Sequence, residues 1–381
     1  NNNGNNNEFR DLERLAHLAM EVVPDSPTNR YADDPAAAVF GQRLFYTNNM
    51  SSTGQVSCAS CHDPDHGFSE ARSLARGVHN RVGTRHSPTI WNAAFSEFYF
   101  WDGRADSLWS QALQAIEGFA EMDFSRLEVA HFIVDHHADE YESIFGSLPD
   151  ISNLPRSGKP GDEQWNRLSN QQKDNVQRIF ANVGKALEAY QRQLICSNTR
   201  FDRFVRGEIN LTDDEREGAS DFLSSGCDQC HSGPTLSNQG FHNIGIDHPG
   251  TPDRGRINGV PALVNDIFNG TGAYSDDVAA GFSRLNPIST ESNQLGSFKT
   301  PTLRGVGQRS HFGHLGNLVT LRQMINHYDD GGRNRDFVGQ LDPLVDDGDV
   351  RGEADIEAFL RTLDCPPLPD SLIGVPPPFI E

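Results

Sequence analysis

The sequence predicts a mainly α-helical fold built as two domains, with long loops and few strands. Three observations carry that expectation. The chain has 381 residues, more than one small domain usually needs. Its apolar residues recur at helical spacing in several separate segments. No strand-rich region stands out between them.

The N-terminal stretch "NNNGNNN" is polar and low in complexity, and reads as a disordered leader or an expression remnant outside the fold. No signal peptide is visible, so any export signal is expected to have been removed. Residues 175–196 read as a long helix with Val176, Phe180, Val183, Leu187, Tyr190 and Leu194 on one side. Another helix is expected to start at "TDDE", where Thr212 and Glu215 have capping-box spacing. Residues 233–299 read as a long connection rich in Gly, Asn and Pro. Such a length is unusual unless the loop wraps a cofactor or does work. In "TLRQMINHYDDGG" Thr320 suits an N-cap, Gln323 completes a capping box, and Gly331 and Gly332 stop the helix. Tyr328 lies at i+4 from Met324 and shares the apolar stripe of Leu321, Met324 and Ile325. A last helix is expected over 353–363, with Ile356, Phe359, Leu360 and Leu363 inward.

Hydrophobic residues make up 36% of the chain, and no apolar run approaches the length of a membrane-spanning helix. The net charge of −21 argues against a nucleic-acid partner, which needs a basic footprint. It fits a soluble protein and suits a basic partner.

Four of the six cysteines form two motifs, "CASCH" (Cys58, Cys61, His62) and "CDQCH" (Cys227, Cys230, His231). C-x-x-C-H is the attachment signal of c-type haem. Two thiols at this spacing form thioethers to the two vinyl groups of one porphyrin, and the adjacent imidazole reaches the iron. A zinc module needs a second ligand pair close by, yet the two pairs are 169 residues apart. A thioredoxin-like dithiol lacks the fixed histidine and sits near a βαβ pattern, which is not seen. Two covalent haems are therefore expected. Each motif follows a helical segment containing a glycine, which suggests a weak internal repeat. Cys196 and Cys365 are left over: either one bridge tying the C-terminal tail to the domain junction, or two buried thiols.

The motifs "LFYTNNMSSTGQVSCASCH", "RHSPTIWNAAF", "FYFWDGRADSLWSQAL", "GCDQCHSGPTLSNQGFHNIG" and "GSFKTPTLRGVG…HFGHLGNLVTLRQMINHY" run from about Pro35 to Leu363. Together they resemble the bacterial dihaem cytochrome c peroxidase and MauG superfamily. The resemblance implies two cytochrome c-like haem domains: a leader at 1–24, a peroxide-reacting haem domain at 25–200, an electron-relay haem domain at 201–345, and a C-terminal helix and tail at 346–381 packing back near the junction. It implies H2O2 as substrate, a bacterial periplasmic or otherwise exported location, and Trp101 between the haems.

On the first haem the resemblance aligns Gln111 and Glu121 with the distal glutamine and the acid–base glutamate. Without it, both would read as exposed polar residues. His79 falls where a loop histidine gates this haem in relatives, although a surface histidine reads equally well. Relatives hold calcium near the junction. His86 stands where many have an asparagine, and imidazole suits a hard cation poorly, so that site is either lost or rests on carbonyls and water. On the second haem, His314 aligns with the family's loop histidine, and Tyr328 stands fourteen residues on, where peroxidases have a methionine ligand. Met324, one turn earlier, is the rival. The plain alternative for Tyr328 is a core tyrosine bonded to a carbonyl. A tyrosinate ligand favours ferric iron and lowers the potential. MauG-like relatives share it; they spread two oxidising equivalents over both haems and oxidise tryptophans of a partner protein.

Three functions follow: such a partner-oxidising enzyme, a peroxide-detoxifying peroxidase fed by a small redox protein, or a plain electron carrier. Glu121 and Gln111 speak against the last, which needs no acid–base group.

Overall fold

The computed structural model describes residues 22–246, 250, 252–332, 337–346 and 348–378. Most of the predicted leader, up to residue 21, lies outside them. Among the described residues there are thirteen α-helices and one two-stranded antiparallel sheet, Phe241–His242 against Phe298–Lys299. The fold is mainly α, as expected.

Apolar side chains gather into two large cores. The first is centred on the helix Asn170–Gln191, which buries Val176, Phe180, Val183, Leu187 and Tyr190. Pro35–Tyr46 crosses it closely: a Cβ on Gly41 would collide with the Ala186 carbonyl. Leu108–Glu117 packs on another side through Trp109 and Leu113. The second core joins Asp213–Ser224, Leu321–Asp329 and Glu353–Arg361 around Phe222, Ile325 and Phe359.

Three expectations need correction. The long helix runs over 170–191 rather than 175–196. Ser169 and Gln172 form its capping box, a signal present in the sequence. Cys196 lies beyond its end, where its backbone N–H donates to Asn92 Oδ1 at 2.8 Å and its carbonyl accepts from Asn92 Nδ2 at 3.3 Å. The 233–299 connection contains two helices, Arg256–Asn265 and Val278–Leu285. Pro261 inside the first obscures its periodicity. In "TLRQMINHYDDGG", Gln323 Oε1 accepts from Val319 N at 2.7 Å instead of closing the box onto Thr320.

Part of the chain assigned to the second domain lies against the first core. Phe268 packs edge-on to Trp109 and Phe180, and Asp276 pairs with Lys185 at 2.7 Å. The C-terminal tail also returns to this core, with the Ser371 and Gly374 carbonyls accepting from Gln42 and the Leu372 carbonyl from Tyr190. At the start of the second core, fully buried Arg304 makes a bidentate pair with Asp202 at 2.8 and 2.9 Å. Asp202 in turn caps the helix that begins at Arg200.

Cys196 and Cys365 form a disulfide, with Cα atoms 5.1 Å apart. It fastens the tail to the end of the first core across a separation of 169 residues. Thiol titration of the denatured, unreduced holoprotein should therefore find no free thiol; two would refute the bridge. Cys365→Ser should lower unfolding stability by about 2–5 kcal/mol, read from the denaturation midpoint.

Candidate active site

The two CxxCH motifs form nearly identical turns. Cys58–Ser60 is a single 3₁₀ turn, and His62 N donates to the Cys58 carbonyl at 2.9 Å. Cys227–Gln229 repeats it, with His231 N on the Cys227 carbonyl at 2.9 Å. Each histidine is then oriented by a backbone oxygen. His62 Nδ1–H donates to the Phe68 carbonyl at 3.2 Å, and His231 Nδ1–H to the Leu236 carbonyl at 3.0 Å. A carbonyl only accepts, so Nδ1 carries the proton and Nε2 keeps its lone pair. Burial lowers both imidazole pKa values, that of His231 to about 4. Neutral rings with one fixed tautomer are what an iron ligand requires.

Each motif lines its own cavity. The first is about 410 Å³ and the second about 370 Å³, within the range of cofactor sites. Burial pushes the thiols of Cys58, Cys61 and Cys227 up to about 12 and that of Cys230 to about 11. A redox dithiol needs the opposite, a stabilised thiolate. No group of three or more His, Cys, Asp or Glu among the described residues is placed to hold a metal ion by itself. Paired unbridged thiols, a neutral imidazole and a largely apolar cavity fit covalent haem at both places.

Gln111 and Glu121 line the first cavity together with Cys58, Cys61 and His62. Glu121 sits in a turn whose backbone is tied at both ends: its N–H donates to Gly118 O at 2.9 Å and its carbonyl accepts from Val78 N at 2.8 Å. A Cβ on Gly118 would collide with Glu121 Oε2, so glycine there makes room for the carboxyl group. Burial raises the Glu121 pKa to about 7, against a smaller opposing pull from Arg104. At neutral pH it is therefore poised to take or give a proton.

Trp101 lines both cavities. Its indole N–H donates to the His86 carbonyl at 2.7 Å, and its own carbonyl accepts from Lys299 N at 2.7 Å. Its ring meets His314 edge-on at 6.4 Å. His314 lines the second cavity and stacks on Phe298 at 3.7 Å. His86 lines both cavities with its Nδ1–H shared between the Arg72 and Ser73 carbonyls, 3.1 Å each. Its side chain offers no oxygen to a hard cation. His79 is exposed at the tip of a turn with φ of 54° and does not line the first cavity.

Tyr328 and Met324 both line the second cavity. The Tyr328 hydroxyl makes no hydrogen bond among the described residues. Its pKa is raised by burial first, then by Cys230 and Cys227, which line the same cavity. The neighbouring His327 turns away, its Nε2 2.7 Å from the Ile244 carbonyl.

Two residues of this site escaped the sequence reading, Lys299 and Arg309. Lys299 lines both cavities and Arg309 the second. Lys299 lies within a motif that carries the resemblance and Arg309 just after it, but a lone Lys or Arg is ordinarily exposed.

A family model for di-haem cytochrome c peroxidase matches residues 35–210. Methylamine utilization protein MauG of Methylorubrum extorquens is 28% identical over 359 residues, spanning 93% of this chain and 85% of that protein. Cytochrome-c peroxidase IdrP1 of Pseudomonas sp. (strain SCT) is 27% identical over 388 residues, spanning 95% and 92%. The crystal structure of the diheme peroxidase BthA from Burkholderia thailandensis shares the fold, with a TM-score of 0.65 at 19% identity over 87% of this chain and 86% of that one. A MauG-like protein associated with microbial copper homeostasis does so with a TM-score of 0.65 at 21% identity, over 90% and 94%. The likeness to the curated relatives runs through both cavities rather than one half alone, so over nearly its whole length the chain is similar to the dihaem cytochrome c peroxidases and MauG proteins, which are haem oxidoreductases.

Proposed function

We propose that this chain is a peroxide-dependent oxidase of the MauG kind, which reacts with H2O2 at the first cavity and withdraws electrons from a partner protein. Haem, when bound, supplies redox-active iron in each cavity. Cys58 and Cys61 would hold one haem by thioethers and His62 by Nε2; Cys227, Cys230 and His231 would hold the other. The observation that carries the choice is Tyr328, a phenol that lines the second cavity together with Cys227 and Cys230 and makes no hydrogen bond among the described residues. Burial keeps that phenol protonated, so it ligates only where a metal takes the place of its proton. A hard anionic oxygen then favours the ferric state and suits a site that stores oxidising equivalents rather than one that takes up electrons.

Glu121 serves as the acid–base group. Its carboxylate takes a proton from peroxide and returns it to the departing oxygen, while the Gln111 amide offers a neutral hydrogen bond in the same cavity. Trp101, in contact with both cavities, bridges them. The Cys196–Cys365 disulfide supports export to an oxidising compartment such as the periplasm.

A second reading, a peroxidase taking electrons from a small redox protein, draws on Met324, which lines the same cavity as Tyr328. Adding H2O2 to the diferric protein separates the two. A near-infrared charge-resonance band is expected here, and Tyr328→Met should abolish it and raise the potential of the second haem. Turnover that begins only after one-electron reduction would falsify the MauG-like reading.

Glu121→Gln should slow the reaction with peroxide by about 10²–10⁴-fold with both haems still attached. Only the carboxylate accepts a proton, so the wild-type rate should climb as pH rises through about 7. The variant should lose that climb. Stopped-flow rates at several pH values check both; an unchanged profile removes the assigned role.

A further inference from the structure

The wall between the cavities contains a cation with no counter-ion among the described residues. Four Lys or Arg residues line one or both cavities: Arg85, Arg104, Lys299 and Arg309. Three are committed. Arg85 pairs with Asp253 at 2.6 Å and Asp102 at 2.7 Å. Arg104 pairs with Asp102 at 3.1 Å and donates to Gln114 at 3.2 Å. Arg309 donates to the Thr302 carbonyl at 3.0 Å and to the Arg304 carbonyl. Lys299 has no salt bridge or side-chain hydrogen bond among the described residues. Alone among the four, it lines both cavities.

Its placement is fixed by backbone. Lys299 pairs with Phe241 in the small sheet, and its N–H donates to the Trp101 carbonyl at 2.7 Å. Those contacts hold the Lys299 backbone in the wall, from which its side chain lines both cavities. Burial alone pulls its pKa down to about 8, and no anion among the described residues answers it. A partly buried ammonium that lines a cavity without a partner is poorly compensated. A ligand carboxylate would remove that cost, and each haem carries two propionates.

We propose that Lys299 is a carboxylate-binding residue common to both sites, its ammonium pairing with haem propionate across the shared wall and so coupling the charge of the two haems. This rests on the reading that each cavity holds haem. Lys299 is a positioning residue: it binds the periphery of the cofactor and touches no reacting atom.

The test uses the holoprotein with Lys299→Met, Lys299→Gln and Lys299→Arg. Haem is counted as the pyridine haemochrome, and both midpoint potentials are read by spectroelectrochemistry. A nearby cation disfavours the more positive ferric form, so its removal must lower the potential. Met and Gln should each lower the reduction equilibrium of both haems by about tenfold, equal to about 59 mV for a one-electron couple. Arg should keep both haems near the wild-type values. The Gln variant covers the case in which methionine does not fold. Two attached haems with one or neither potential moved would overturn the proposal, as would Arg falling as far as Met. A wild-type protein carrying fewer than two haems would instead refute the haem reading, and this inference with it.

Discussion

Two cavities share one wall, and hydrogen bonds from both halves of the chain hold it. The Trp101 indole is fixed on the His86 carbonyl at 2.7 Å, while His86 N donates to the His314 carbonyl at 2.8 Å. Arg85 lies between Asp102 on one side and Asp253 on the other. Asp102 adjoins Trp101 in sequence, and Asp253 comes from the far half of the chain. Such a buried charge group tolerates no missing member, since each leaves an uncompensated neighbour in a medium that solvates poorly. The wall therefore ties the two sites to each other through contacts from both halves of the chain.

The same economy of means appears in the two CxxCH turns. Each requires a carbonyl aimed back at the histidine Nδ1, and each obtains it by placing a non-glycine residue in the left-handed region: Phe68 at φ of 52° and Leu236 at φ of 49°. That conformation costs on the order of 1–3 kcal/mol per residue. Burial sustains it. Phe68 packs edge-on against Trp91 at 5.0 Å, and Leu236 is fully buried in the second core. Two independent segments meeting one demand by one strained solution is stronger support for a repeated unit than the loose sequence similarity around the motifs.

What the sequence made legible was local. The CxxCH turns, the Thr212–Glu215 capping box and the helix carrying Tyr328 depend on residues within a few positions of each other, and the structure has them. Glu121 and Trp101 needed the family register, because nothing in "AEM" or "FWD" indicates burial. The crossing of Phe268 and Asp276 onto the first core was hidden for a different reason: it is a long-range contact with Trp109, Phe180 and Lys185. Lys299 was missed because its character comes entirely from what surrounds it. In a strand of two residues a lysine reads as a solvent-facing group, and only the folded wall shows both cavities beside it.

Tyr328 and Met324 illustrate how chemistry separates residues that periodicity cannot. They lie one turn apart on the same helical stripe, and both reach the second cavity. A thioether loses little when it lines a cavity unbonded, since it is a soft apolar group. A phenol does lose, because its hydroxyl leaves water and must find another partner. Two other tyrosines find one: Tyr190 reaches the Leu372 carbonyl at 2.8 Å, and Tyr99 the Ser96 carbonyl at 2.9 Å. Tyr328 differs from these two: among the described residues its hydroxyl has no hydrogen-bond partner, and it lines the cavity that Cys227 and Cys230 also line. On the proposed reading the partner of that hydroxyl is supplied by the cofactor rather than by the polypeptide.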